Sequence, residues 1–427
     1  MSVGTTAADP ARSPQPAIAG PRAGAPSPVA REGAPLRVLV ITRIFPNALE
    51  PLSSPFNRQQ FAALGRLCNV EVMATIPWFP GSGLLGDRSK TGARRAVPAR
   101  DRIDGLEVVH PRVLYVPRFG AGLSAALEVA SLARAVIARR HDVDVVLGSW
   151  AYPDGVAAVA LARAIGVPAV IKAHGSDLNV LSSMRGPRAN LALGLPRAAR
   201  VVTVSRALGD KAVALGADRG RVVVVPNGSD ASLFRVRDQN AARRSLGWTV
   251  DGPMVLFCGR IEREKGVFEL LDAFAEIKDA EPRLSLVLLG EGAAMAEAVA
   301  LARPFGDRVR FLGARPLAEV PEWMAASSIV TLPSYNEGSP NVVREALACG
   351  RPVVATSVGG IPELLSSSDL GEMVAPRDAG ALAQALLRAT RRSFDPVRIA
   401  AASGGSWEDS AATLLAVLEA ARREHTR

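Results

Sequence analysis

The sequence predicts an α/β fold of two doubly wound parallel sheets, and three observations carry that prediction. Short runs rich in Val, Leu and Ile recur roughly every 20–30 residues. Amphipathic helical patterns fill the intervals. The series lapses after residue 237 and restarts near residue 253, dividing the 427-residue chain into two such units. A chain of that length also exceeds one ordinary core.

Taken in order, residues 1–35 are rich in Ala, Pro and Gly and read as a disordered tail. No basic segment leads into an apolar run there, so they are not read as a signal peptide. LRVLVI (36–41), VDVVLG (143–148), PAVIKA (168–173), RVVTVS (200–205) and RVVVVP (221–226) follow as strands of a unit spanning 36–237. They are continuous rather than alternating, as strands covered on both faces should be. Ser54-Pro55 opens a helix whose inner face is Phe56, Phe61 and Leu64. DQNAARRSLGWTVDG (238–252) is polar, runs into Pro253, and reads as a linker.

The second unit, 253–404, begins with the strand MVLFCG (254–259) and the amphipathic helix VFELLDAFAEIKD (267–279). LSLVLLG (284–290), RVRFLG (308–313), SIVTLPS (328–334) and PVVATS (352–357) are its further strands. Ligands of open α/β sheets sit beyond the carboxyl ends of the strands. The loops after the strands are therefore where function is sought.

Composition narrows the classes. With 48% hydrophobic and 22% charged residues, the chain is an ordinary globular protein. Cys68, Cys258 and Cys349 stand apart, outside any C-x-x-C spacing, which argues against disulfides and zinc and for a reducing, cytoplasmic setting. The apolar stretch 155–171 is broken by Arg163 and Pro168, short of a membrane span. Residues 36–235 hold 26 Lys and Arg against 14 Asp and Glu, a net +12, whereas 236–427 carry −3. That excess suits an anionic membrane surface or a phosphorylated acceptor as well as a plain solvated face. No nucleic-acid motif accompanies it.

Three loops carry chemistry. GRIEREKG (259–266) lies between a strand and a helix, and holds Arg260 and Lys265 beside the helix opening at Gly266. Two cations and a helix amino end suit a diphosphate. In SYNEGSPNVVREALACG (334–350), Glu337 sits on the loop and Glu345 on the helix that begins near Pro340-Asn341. Two carboxylates so placed can grip two ends of a polyhydroxylated ligand. Gly338 permits close approach, and the amides of Ser339 to Asn341 open that helix. KAHGSD (172–177) puts His174 and Asp177 after a strand of the first unit.

In this order the segments resemble the retaining family-four glycosyltransferases, whose fold is two Rossmann-like domains facing across a cleft, the GT-B arrangement. The resemblance covers nearly all of 36–425: LLGEG (288–292), GGIPELL (359–365), HGSD (174–177), VTVSRAL (202–208) and VPNGSD (225–230) also match. SWEDSAATLLAVLEAA (406–421) is similar to the family's last helix, and implies that 405–427 cross back to the N-terminal domain.

The resemblance implies that Arg260 and Lys265 hold the donor diphosphate and that Glu345 binds the ribose. Glu337 would bind the donor sugar, with Gly338, Ser339, Pro340 and Asn341 beside it. His174 would lie at the transferring sugar, and Glu291 near the nucleoside. It implies a nucleotide-sugar donor, UDP before GDP, with no metal and no other cofactor. The family's Gly-Gly loop is replaced by TRIFPNALEPLSSPFNRQQ (42–60), similar to a subgroup that assembles surface polysaccharides. That implies a glycan or lipid-linked glycan acceptor, and the positive excess of the N-terminal half suits one at the inner membrane face. Arg43, Asn47, Asp177 and Ser205 are the acceptor-side candidates.

Rival motifs are weaker. GSGLLG (81–86) lacks the flanking strand and helix of a dinucleotide site. Asp142-Val143-Asp144 reads as a surface turn rather than a metal pair. Another sugar-nucleotide enzyme on the same scaffold, an epimerase or phosphorylase, and a non-catalytic sugar-nucleotide-binding module remain as alternatives.

Overall fold

The computed structural model describes Met1 and residues 34–51, 53–82, 90–116 and 120–426. Most of the expected tail and residues 83–86 of GSGLLG lie outside the described residues.

Two sheets organise the chain. The first uses β1 (Arg37–Thr42), β2 (Asn69–Ala74), β4 (Arg100–Ile103), β5 (Leu106–Val109), β7 (Val145–Ser149), β8 (Ala169–Ala173), β9 (Arg200–Thr203) and β10 (Val222–Val224), in the order β10-β9-β8-β7-β1-β2-β5-β4. All neighbours are parallel except the β4–β5 hairpin. β3 (Ile76–Trp78) and β6 (Arg112–Leu114) form a small parallel pair of their own. The second sheet is wholly parallel: β11 (Met254–Cys258), β12 (Ser285–Leu289), β13 (Val309–Phe311), β14 (Ile329–Leu332), β15 (Val353–Thr356) and β16 (Gly371–Val374), ordered β13-β12-β11-β14-β15-β16.

Strand order reverses between β1 and β7 and again between β11 and β14. Those are the crevices where ligands of open α/β sheets sit. The loops at them carry Arg43, Trp150, Arg260 and Glu337.

The strands form where the apolar runs are. β7, β8 and β12 are buried at every position. The Val267–Ile277 helix buries Val267, Leu270, Leu271, Phe274 and Ile277 on the second sheet. Each such side chain contributes about 1.5–3 kcal/mol on burial. The Pro55–Gly65 helix starts at its proline and turns Phe61 and Leu64 inward, while Phe56 stays half-buried. The Trp407–His425 helix is closed at its start by a capping box between Ser406 and Asp409. It joins the first sheet's core through Trp407, Leu414 and Leu418.

Residues 238–252 depart from the linker reading. Asp238 accepts from the Ala241 amide at 2.7 Å and caps the helix Gln239–Ser245. Ala242 and Trp248 enter the second core, with Trp248 edge-on to Trp323 at 6.3 Å. The polar composition hid a cap followed by apolar residues at helical spacing. Asp144 accepts two bonds from the Arg37 guanidinium, at 3.1 and 2.8 Å, so the Asp142–Asp144 turn belongs to an ion pair. The three cysteines are free.

Candidate active site between the two sheets

The loop after β8 and the loop after β14 meet. Gly175 and Gly338 are in backbone contact: a Cβ on Gly338 would stand 1.9 Å from the His174 carbonyl oxygen. Asn179 donates to Asn336 Oδ1 at 2.7 Å and to the Glu337 carbonyl at 3.2 Å. Asn227 donates to Asn341 Oδ1 at 2.9 Å. Glu363 accepts from the amides of Arg206 and Ala207 at 3.0 and 3.1 Å. These five bonds each join the first domain to the second.

His174 sits at this seam. Its Nε2 lies 2.9 Å from Ser149 Oγ, which in turn donates to Asn57 Oδ1 at 3.2 Å. Phe56 and Trp150 flank the ring at 5.0 and 6.3 Å between centroids. Nδ1 is buried with no protein partner among the described residues, so one ring nitrogen is left for a ligand. Burial, with the Lys172 ammonium nearby, holds the imidazole well below its ordinary pKa, hence neutral. Lys172 is itself wholly buried, bonded to Gln60 Oε1, and pushed by burial down to about 7.

On the second sheet, Gly266 has φ +69°, and a Cβ there would meet the Pro333 carbonyl at 2.0 Å. Only glycine allows the Arg263–Lys265 turn to press against the loop after β14. That approach puts Lys265 Nζ 2.6 Å from Glu337 Oε1. Arg260 lies on the rim, 69% exposed and 3.0 Å from Glu262.

Glu345 lies on the Asn341–Ala348 helix, whose first turn has no side-chain cap. Burial pushes its carboxyl up to about 7. A desolvated carboxyl of this kind awaits donors that a ligand can supply. Ser339 and Pro340 are buried at the head of the same helix. Glu291 is exposed, and its carbonyl accepts from Ile261 N at 2.9 Å. Among the described residues no group of three His, Cys, Asp or Glu side chains is gathered to hold a metal ion.

The acceptor-side candidates fare differently. Asp177 is buried and accepts from the amides of Ala151, His174, Gly175 and Leu178 at 2.7–3.1 Å, so its carboxylate shapes the His174 loop rather than facing a ligand. Asn47 receives the amides of Leu49 and Glu50 and closes a turn. Ser205 caps the Arg206–Ala214 helix through Leu208 N. Arg43 is held by buried Asp154 at 2.9 Å and buried Glu128 at 3.4 Å. Burial and the neighbouring Asp154 push the Glu128 carboxyl well above its ordinary pKa. Glu363, Asn179, Ser149 and Asn57 were not anticipated. Only Glu363 stood in a recognisable segment, GGIPELL.

Comparison with known proteins places this arrangement. Residues 252–392 match the family model described as Glycosyl transferases group 1, and 53–228 that of the Glycosyl transferase 4-like domain. The chain is 29% identical to the putative teichuronic acid biosynthesis glycosyltransferase TuaC of Bacillus subtilis, over 83% of this chain and 89% of that one. It is 30% identical to D-inositol 3-phosphate glycosyltransferase 1 of Catenulispora acidiphila, over 87% and 94%. Further relatives of the latter description align over about half of their own length. Anabaena Alr3699/HepE, solved in complex with UDP, superposes with a TM-score of 0.64 at 20% identity, over 91% and 98%. That likeness bears on the fold, which is the GT-B arrangement of two α/β domains.

Proposed function

The chain belongs to the group 1 glycosyltransferases, and on that premise we propose that it moves a sugar from a UDP-sugar to a glycan or lipid-linked glycan with retention of anomeric configuration, in assembly of a cell-surface polysaccharide. The observation that carries the reading is the meeting of the Lys265–Glu337 pair with the His174–Gly175 loop across Gly338. It sets a cation, a carboxylate and a neutral imidazole around one crevice.

In this reading Lys265 and Arg260 hold the diphosphate. As the bond between the anomeric carbon and the phosphate breaks, they offset the charge that grows on the departing nucleotide, which fixed cations do without reorganising. Glu345 takes the ribose hydroxyls, and Glu291 lies toward the nucleoside. Glu337 and the amides following Gly338 position the sugar. His174, neutral, faces it from the first domain. No metal or other cofactor is required. UDP takes precedence over GDP because HepE was solved with UDP, and TuaC supports the polysaccharide setting by its description.

The experiment is thermal-shift screening with UDP-, GDP- and ADP-sugars, followed by donor turnover with and without glycan acceptors. A ligand that binds only the native state raises its stability. Stabilisation by UDP-sugars and acceptor-dependent loss of donor are expected. Donor isomerised without acceptor would instead favour an epimerase, and binding without turnover a sugar-nucleotide-binding module.

A further inference from the structure

One surface of the first domain is not used by the site. β3 and β6 pair Trp78 with Leu114, and both side chains are exposed. The Tyr115 amide donates to the Trp78 carbonyl at 2.8 Å, and Tyr115 and Val116 continue the exposed apolar run. Gly120 donates to the Val116 carbonyl and accepts from Leu123 N, which brings Leu123, 57% exposed, alongside. Asn190 donates to the Gly122 carbonyl at 2.9 Å and draws in the start of the Arg185–Gly194 helix, with exposed Met184 just before it. Single exposed apolar residues are ordinary, but a contiguous set marks an interaction surface.

Among the described residues of its own segments the charge has one sign. Segments 76–82, 90–100, 111–125 and 180–190 contain no Asp or Glu at all. Arg94, Arg112, Arg185 and Arg188 are carried by these same segments; Arg112 ties two of them together by donating to the Arg95 and Val97 carbonyls at 3.2 and 2.7 Å. Glu50 reaches Arg94 from a neighbouring loop only at 3.8 Å. β3 follows the carboxyl end of β2, β6 that of β5, and the Arg185–Gly194 helix follows the His174 loop. The surface therefore borders the edge of the sheet where His174 sits.

We propose that this surface docks on an anionic lipid bilayer, with Trp78, Leu114, Tyr115 and Val116 seated at the headgroup boundary and the arginines on the lipid phosphates. Amphipathic aromatic side chains favour that boundary, and basic residues are drawn to anionic lipid within a Debye length. A headgroup layer matches charge of one sign spread over separate segments without demanding a fixed pattern of partners. The inference rests on the reading of the acceptor as lipid-borne. No described helix is long and apolar enough to cross a membrane.

The test is co-sedimentation of the full chain with vesicles of phosphatidylcholine alone and of phosphatidylcholine mixed with phosphatidylglycerol. Binding to the mixed vesicles, weakened by salt, is expected. Trp78→Ala with Leu114→Ser should weaken it at least about tenfold with every charge intact, and Arg185→Glu with Arg188→Glu should do the same with every apolar residue intact. Brominated lipid should quench the fluorescence of the native chain more than that of Trp78→Phe. An unchanged response to UDP in thermal shift certifies that the variants fold. Equal binding to both vesicle types, no binding, or indifference to either pair of substitutions overturns the proposal, as does self-association of the native chain abolished by the same variants. Lipid binding is read without transfer, so this proposal and the glycosyltransferase reading can fail separately.

Discussion

Lys265 Nζ and Glu337 Oε1 stand 2.6 Å apart, one from the loop after β11 and the other from the loop after β14. Both are largely buried, so each orders the other before a donor arrives. On the proposed reading, Lys265→Ala removes a diphosphate ligand and also frees Glu337. We expect kcat/KM to fall more than tenfold, beyond about 1.4 kcal/mol of transition-state stabilisation. Arg260 is 69% exposed, where water and salt weaken its pull, and Arg260→Ala should cost about tenfold. Steady-state kinetics of both variants checks the order; wild-type rates in both would remove the diphosphate assignment.

Glu337 and Glu345 should separate by what they lose. Glu337→Gln is expected to lower kcat at least about tenfold while free UDP binds nearly as before. Glu345→Gln should weaken UDP itself. Calorimetric titration of the two variants decides, and equal weakening in both would contradict the division.

Glu345 also sets a pH dependence. Burial raises its carboxyl from 4.5 to about 7, so the folded state holds the proton more tightly than the unfolded chain. Stability from this group is therefore greatest at low pH and falls as pH rises from about 4.5 to about 7. The ionised form is the one that accepts from ribose hydroxyls. UDP affinity should rise with pH up to about 7 and then level off, by up to about tenfold per unit below that point. In Glu345→Gln both slopes should flatten; an unchanged affinity profile would place the titrating group elsewhere.

Transfer is expected to survive EDTA, because Lys265 and Arg260 can stabilise the leaving diphosphate electrostatically. Initial rates before and after chelation test this. Complete loss, restored by manganese or magnesium, would show that the cations do not suffice.

Strands covered on both faces were legible because their apolar runs are nearly continuous, as in β7, β8 and β12, where Ser149, Lys172 and Ser285 are the single polar residues. β2 and the β4–β5 hairpin were not, because Glu71, Arg102 and Glu107 alternate with their apolar residues at the sheet's margin. The loops holding Lys265, Glu337 and His174 could be read from residue type and position after a strand. Asp177 and Ser205 misled for a physical reason: a carboxylate or hydroxyl that satisfies backbone amides looks the same in sequence as one that faces a ligand. The partners of Arg43, Glu128 and Asp154, were not legible because they are 85 and 111 residues away.

Glu363 is the residue whose role only the fold reveals. Its carboxylate receives the first two amides of the Arg206–Ala214 helix, where the helix dipole favours an anion. The helix belongs to the first domain and Glu363 to the second, so the contact latches one against the other. It is exposed, which limits its worth to about 1 kcal/mol. Glu363→Ala should therefore lower kcat/KM by roughly fivefold, with UDP affinity unchanged if, as proposed, the second domain binds the nucleotide. Glu363→Gln should keep part of the activity, since its amide oxygen still accepts one bond. Hydrogen exchange at the Arg206 and Ala207 amides, faster in Glu363→Ala than in Glu363→Gln, separates a latch from a donor ligand. Protection unchanged in Glu363→Ala, or UDP affinity lost with activity, would place Glu363 at the donor and dissolve the latch.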